Sequence, residues 1–357
     1  MGVLRMHVWS RRVGRMLSTA ALVVAAILVT GCGSGGSTSA ATATGTAAST
    51  ASVGEPIKVG FQLDFLYAGY QAPFFLALDK GYWKDAGLDV TIRQGNGSAN
   101  GIKTLLGGLN QVGFFDRPTM AVSADHTSDL LSVMGIDNKG GWCVATPVSE
   151  GITTPQGLEG KTIATQLGGA DGTLLPAFLQ ANGIDGKVTV QSVDPAAKTT
   201  LLQAGKVDGS TYINYAQVPQ VEASGTKLNT MLWSENGLHV IGAGIITTKS
   251  WAEKQPEALK AFVAGTVKAF QESQANPSEA IDAFMRHNPK FDRKVATEQL
   301  RLVLDALSTP DTAGKPVGYQ APEDWQSTIQ TLTKVGMIKN ASPMDQYYTN
   351  SYLPTGG

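Results

Sequence analysis

Residues 61 to 90 read Phe61-QLDFLYAGYQAPFFLALDKGYWKDAGLD-Val90, and the punctuation of this stretch decides the fold. The apolar run Ile57 to Leu63 predicts a strand, and Pro73 opens a helix in the first turn, where a missing N–H is harmless. Gly81 and Gly87 then permit the turns into a second strand at Leu88 to Arg93. The result is a β-loop-α-β unit. Its loop carries Asp64, Phe65, Tyr67, Tyr70 and Gln71. In an α/β sheet the binding crevice lies beyond the carboxyl ends of the strands, which makes this loop the first candidate binding element.

Working outward, the 357-residue chain begins with a segment that does not belong to the fold. Arg5, Arg11, Arg12 and Arg15 precede the apolar run Leu17 to Val29, which is too short for a permanent membrane span. Residues 1–31 are therefore expected to be a signal peptide. The run ends in Val29-Thr30-Gly31-Cys32, which resembles the lipobox of bacterial lipoproteins and implies lipidation at Cys32. Residues 32–54 are mostly Ser, Thr, Ala and Gly with no aromatic and no charged residue, so they cannot bury enough apolar surface to order themselves. They read as a flexible tether.

Composition excludes several function classes. Without the four signal arginines the chain keeps 24 Lys and Arg against 29 Asp and Glu, and no basic run, which argues against nucleic-acid binding. Cys143 is the one cysteine left in the body and reads as a buried small hydrophobe. The four histidines stand at no metal-ligand spacing. No nucleophile elbow, Ser-x-x-Lys, His-Glu-x-x-His or dinucleotide fingerprint is present. A non-enzymatic binder without metal or cofactor is expected, acting as a monomer. About 300 residues exceed what one core usually holds, so two lobes are expected.

Along the body, Gly95-Asn96-Gly97-Ser98 precedes a helix over 99–106. Ser98 either caps that helix or offers the helix end to a ligand oxygen. A strand over 111–115 leads to Asp116-Arg117-Pro118, where Asp116 or Arg117 could reach a ligand or Asp116 could cap the next helix. After a strand over 130–136, Gly140-Gly141-Trp142 suits a crossing between lobes, with Trp142 either lining the cleft or covering the hinge. The pattern then restarts. Gly168-Gly169-Ala170-Asp171 opens a helix and lets backbone approach a ligand at Gly169, Ala170 and Asp171. Leu201-Leu202 precede Gly209 by the interval that separates Leu105-Leu106 from Gly113, a faint internal repeat that pairs Phe114-Phe115 with Tyr212, Asn214 and Tyr215. Gly242 to Thr248, apolar and flanked by glycine, reads as the second crossing. Helices follow over 256–274, 277–287, 293–307 and 322–335, expected as support and not as a site. Tyr347, Tyr348 and Tyr352 are expected to dock the tail. Residues 55–140 with 242–357 are expected to form one lobe and 146–237 the other.

The stretches APFFLALDKGYWKDAGLDV (Ala72 to Val90), LEGKTIA (Leu158 to Ala164) and LLQAGKVDG (Leu201 to Gly209) resemble the substrate-binding proteins of ABC importers in the nitrate, sulfonate, taurine and thiamine-pyrimidine-precursor superfamily. The resemblance implies an α/β type II periplasmic-binding-protein fold, with two lobes and a two-segment hinge. It also implies closure on a small molecule and delivery to a permease and its ATPase. The lipobox adds a lipid-anchored site of action on the extracytoplasmic face of the cell membrane. Pyrimidine-precursor binders carry Asp-Trp, then Asn and His, before Ala-Pro; here the matching residues are Asp64-Phe65, then Ala68 and Gln71. The aromatic supply suggests a flat heterocycle oriented by Asp64, Gln71 and Asn214. A sulfonate or nitrate held at helix ends with Arg117 is the second reading. A desulfinase-like enzyme using Cys143 is the alternative of another class.

Overall fold

The computed structural model describes residues 55–166 and 170–355, with only the backbone of Ala170. The expected signal peptide, Cys32, the tether and Gly169 lie outside these residues. The chain runs β1 (Ile57–Gln62), α1 (Ala72–Asp79), α2 (Tyr82–Asp85), β2 (Leu88–Arg93), α3 (Ser98–Leu106), β3 (Val112–Asp116), α4 (Arg117–Ala124) and β4 (Leu130–Gly135). It continues through β5 (Trp142–Pro147), β6 (Thr162–Gln166), α5 (Ala170–Ala181), β7 (Thr189–Val193), α6 (Ala197–Gln203), β8 (Gly209–Ile213), α7 (Val218–Ala223) and β9 (Leu228–Leu232). It then returns as β10 (Ala243–Thr248) and ends in α8 (Lys249–Lys254), α9 (Pro256–Ala275), α10 (Pro277–His287), α11 (Arg293–Asp305) and α12 (Pro322–Lys334).

Two five-stranded sheets share one topology. The first has the order β2-β1-β3-β10-β4 and the second β7-β6-β8-β5-β9. In each, one strand that has just crossed from the other half is inserted antiparallel: β10 between β3 and β4, and β5 between β8 and β9. The faint repeat in the sequence is thus a duplicated sheet. This arrangement brings the carboxyl ends of β1, β3, β6 and β8 to the edges at which the crossing segments leave. The loops that follow them are placed to line one crevice.

The crossings are residues 136–141 and 233–242, running side by side. Gly242 N–H donates to the Asp137 carbonyl (2.8 Å), Asp137 N–H to the Ala243 carbonyl (2.8 Å), and Trp233 N–H to the Trp142 carbonyl (3.0 Å). Gly140 has φ 77°, and a Cβ there would lie 1.9 Å from the Val240 carbonyl oxygen, so this position requires glycine. Of Gly242 to Thr248, expected as the second crossing, only Gly242 belongs to it; Ala243–Thr248 is β10, buried along its whole length. A short apolar run between glycines suits either role, and only its pairing on both sides decides.

Side chains alternate between two buried faces in both sheets, as sheets covered by helices require. Val59, Phe61 and Phe114 pack with α1, α9, α10 and α11, where Trp83 stacks on Phe262 with centroids 5.0 Å apart. Phe115 turns the other way, over Gly101 and Gly113, whose Cβ atoms would collide with its ring. In the second sheet Val144 and Ile163 join Trp233 and Trp325, while Cys143, Ala164 and Tyr212 face Leu202 and Val221. The C-terminal tail docks as expected: Tyr347 is buried, and Tyr348 stacks on Trp325 with centroids 5.2 Å apart.

Candidate functional site

The loop after β1 folds around the Asp64 carboxylate. Gln71 Nε2 donates to Asp64 Oδ1 at 2.8 Å, the Tyr70 hydroxyl lies 3.2 Å from both carboxylate oxygens, and Phe65 N–H donates at 2.9 Å. Gln71 Oε1 in turn accepts from Ala68 N–H at 3.1 Å, which fixes the amide's orientation. Burial pushes the Asp64 carboxyl up to about 6, against the pull of these donors. Asp64 is half-buried as a residue, while its carboxylate is held among these donors.

The second lobe meets this loop through Tyr215, two residues beyond β8. Its ring centroid stands 5.2 Å from that of Tyr70, and it packs into the hydrophobic cluster of the first lobe. Burial raises the Tyr215 hydroxyl well above its ordinary value, and the carboxylates of Asp137, Asp64 and Asp116 add to the effect. Asn214 is half-buried beside Tyr215, its N–H donating to the Gly141 carbonyl at 2.7 Å.

A second cluster lies at the end of β3. Asp116 caps α4, its Oδ2 accepting from Thr119 N–H (2.9 Å) and Thr119 Oγ1–H (2.6 Å). Burial raises its carboxyl; Thr119, Arg117 and the Trp142 side chain of the second lobe oppose this. Ser98 does not cap its helix as expected. Gly97 holds the N-cap position with φ 114°, and Ser98 Oγ accepts from Asp116 N–H at 3.0 Å, joining α3 to the strand end. Trp142 is half-buried and stacks on Trp233, the next crossing's first residue, at 5.9 Å. It thus packs against the start of the second crossing.

Arg117 is wholly buried. Its Nε donates to the Gly242 carbonyl (2.9 Å), and its Nη2 to the Asp137 carbonyl (2.6 Å) and Asn138 Oδ1 (2.9 Å). It pins the two crossings to each other. Desolvation lowers its pKa to about 10. Asp137, for which no site role is expected from the sequence, accepts from Gly140 and Gly141 N–H at 2.8 and 2.7 Å. Burial pushes its carboxyl up to about 6.

Three expected residues lie apart from this convergence. The Tyr67 hydroxyl donates to the Ile92 carbonyl at 3.2 Å and its ring stands edge-on to Phe75 at 5.2 Å. Tyr212 is buried in the second lobe, its hydroxyl paired with Thr199 at 3.1 Å. Asp171 is buried at the start of α5 with Lys198 Nζ at 3.0 Å from Oδ2, which also accepts from Thr211 (2.5 Å) and Thr165 (3.2 Å). Lys198 adds a bond to the Thr211 carbonyl at 2.7 Å. Alternation along β8 explains Tyr212: an aromatic residue one step before the strand's end points to the core face. Cys143 is buried with its thiol pushed up to about 12 by desolvation.

The two duplicated sheets, joined by paired crossings, define a type II periplasmic-binding-protein fold of two lobes. The chain belongs to the NMT1/THI5-like family, whose description matches residues 68–280. It is 29% identical to the taurine-binding periplasmic protein of Escherichia coli over 56% of this chain and 62% of that protein. It is 24% identical to the riboflavin-binding protein RibY of Chloroflexus aurantiacus over 56% of this chain and 58% of that one. These two matches thus span about three-fifths of each relative's length. The formylaminopyrimidine-binding protein of Halalkalibacterium halodurans is 22% identical over 80% of this chain and 87% of its own. The alkanesulfonate-binding protein SsuA of Xanthomonas axonopodis has the same fold, with a TM-score of 0.62 at 14% identity over 83% of this chain and 99% of that one.

Proposed function

We propose that this protein is an extracytoplasmic solute-binding protein. It captures a small aromatic or heterocyclic molecule between its lobes and delivers it to an ABC permease and its ATPase. The observation that carries the reading is the convergence of Asp64, Tyr70 and Gln71 from one lobe with Tyr215 from the other. Ligand contacts from both lobes exist only when they close, so a solute that bridges them biases closure by that differential affinity. A riboflavin binder and a formylaminopyrimidine binder among the relatives support a flat nitrogen heterocycle.

The charge distribution favours this class over an oxyanion. Asp64, Asp116 and Asp137 all stand close enough to raise the Tyr215 hydroxyl. The two buried cations among the described residues near the lobes' facing ends are engaged: Arg117 on main-chain carbonyls, Lys198 on Asp171 and Thr211. A sulfonate or nitrate would meet these carboxylates with the nearby Arg117 already engaged on main-chain carbonyls, whereas ring N–H donors suit the Asp64 carboxylate. We assign residues 55–140 with 242–357 to one lobe and 146–237 to the other. Asp64, Tyr70, Gln71, Asp116, Trp142, Asn214 and Tyr215 are the residues proposed to border the ligand. Binding without turnover is proposed, since a fully buried thiol with a pKa near 12 is an inert one.

Mass spectrometry of the small molecule released on denaturing the purified protein tests the reading. A pyrimidine or fused heterocycle is expected, together with thermal stabilisation by such compounds. Stabilisation by alkanesulfonates or nitrate alone would replace it with the oxyanion reading. Anchoring through Cys32 is tested separately, by incorporation of labelled palmitate that Cys32→Ala abolishes.

A further inference from the structure

Gln299 lies in α11, in the helical end of the chain that sequence patterning marks only as support. Its side chain is fully buried on a helix face otherwise lined by Ala296, Leu300 and Val303. A buried amide costs free energy unless both of its ends are paired. Here both ends are paired, to different lobes. Oε1 accepts from Gly69 N–H at 2.7 Å, and Nε2 donates to the Ala216 carbonyl at 2.6 Å.

The two partners flank the candidate site. Gly69 belongs to the loop that carries Asp64, Tyr70 and Gln71, and Ala216 follows Tyr215. The Gly69 side is rigid: a Cβ at Gly69 would lie 2.2 Å from the Ala296 carbonyl oxygen and 2.3 Å from Ala296 Cα, so the loop rests directly on the backbone of α11. The Ala216 side is carried by the second lobe, whose α7 also packs against α11. One amide therefore holds the ligand loop of the first lobe with one end and the Tyr215 loop of the second with the other.

We propose that Gln299 is a positioning residue that latches the closed lobes. Its bond to Gly69 belongs to the first lobe in every state, and its bond to Ala216 forms as Tyr215 docks beside Tyr70. Opening the cleft would release Ala216 and leave the Gln299 amide to water. The importance of the latch for affinity rests on the solute-binding reading, but its existence does not. Loss of a single such hydrogen bond is expected to weaken binding roughly three- to tenfold.

Hydrogen–deuterium exchange on the full chain without added ligand tests the latch. Gln299→Ala removes both bonds, and exchange should quicken in peptides covering 66–72 and 213–220. Gln299→Glu keeps an acceptor for Gly69 but sets a carboxylate against the Ala216 carbonyl. Exchange should then quicken at 213–220 with 66–72 unchanged, and small-angle scattering should show a more open molecule. A residue that merely fills the core would not separate the two peptides. Unchanged exchange at 213–220 in Gln299→Glu overturns the latch, and this variant decides the matter if Gln299→Ala fails to fold. A purified protein that holds no solute while showing this exchange pattern would sink the binding reading and leave the latch standing.

Discussion

The rings of Tyr70 and Tyr215, 145 positions apart in the chain, stand 5.2 Å apart at a 57° tilt. Tyr70 is held by the Asp64 carboxylate, and Tyr215 packs into the first lobe's hydrophobic cluster beside it, so the pair is where the two lobes meet. Tyr215→Ala removes a buried ring from the first lobe's cluster and is expected to cost about 3 kcal/mol, within the range for buried aromatic truncations. Tyr215→Phe keeps the ring and should stay within about 1 kcal/mol of the parent. Urea unfolding midpoints of the two variants check both values, and equal losses would mean that the hydroxyl, not the ring, holds the lobes.

Asp64 makes ligand capture sensitive to pH. Its carboxyl ionises near 6, so its acceptor form grows roughly tenfold between pH 5 and pH 7. Affinity for a heterocycle that donates to it should strengthen over that interval and level off above it. Asp64→Asn should flatten the profile. Calorimetric titration at pH 5, 6 and 7 with the compound recovered from the protein is the measurement, and a parent profile as flat as the variant's would remove Asp64 from the contact set.

Arg117 is expected to matter for the hinge and not for ligand charge. Arg117→Met leaves the Gly242 and Asp137 carbonyls and Asn138 without their buried donor. Breaking a buried charged network from one side costs about 3–5 kcal/mol. Guanidinium unfolding should show a loss of that size. Arg117→Lys should recover only part of it, because an ammonium cannot reproduce the guanidinium fork. Full stability with lost binding would reverse the assignment.

The second crossing carries a titratable tie. His239 Nε2 lies 2.9 Å from Asp324 Oδ1 in the first turn of α12, and this bond raises the histidine's pKa against the opposing effect of burial. A group whose pKa is raised on folding contributes stability that is complete below its unfolded value, about 6.5, and is lost as pH rises through the higher folded value. The melting temperature should therefore fall between pH 6 and pH 8 by more in the parent than in His239→Gln. Parallel melting curves for the two proteins would dismiss the tie.

The opening stretch was legible because its signals are local. Pro73, Gly81 and Gly87 act on their own backbone, and the structure places α1 and β2 where they point. The faint repeat was legible as well, since spacing survives duplication better than residue identity does. Within the site, Asp64, Tyr70 and Gln71 come together because they share one short loop. Where the Tyr67 and Tyr212 side chains point was not legible, because the direction of a side chain depends on its register against a neighbouring strand or helix. Ala243 to Thr248 was misread as a crossing for the same reason.

By itself, then, the sequence determined the α/β alternation, the duplicated architecture and the loop that gathers Asp64, Tyr70 and Gln71, all of which rest on backbone preferences and on periodicity within a few residues. Only the tertiary structure decided that Arg117 serves the hinge and that Tyr215 meets Tyr70. It alone also decided that Gln299 joins two lobes. Those roles depend on which buried groups find partners far along the chain, up to 230 residues away for Gln299 and Gly69, and desolvation makes that choice only once the chain has folded.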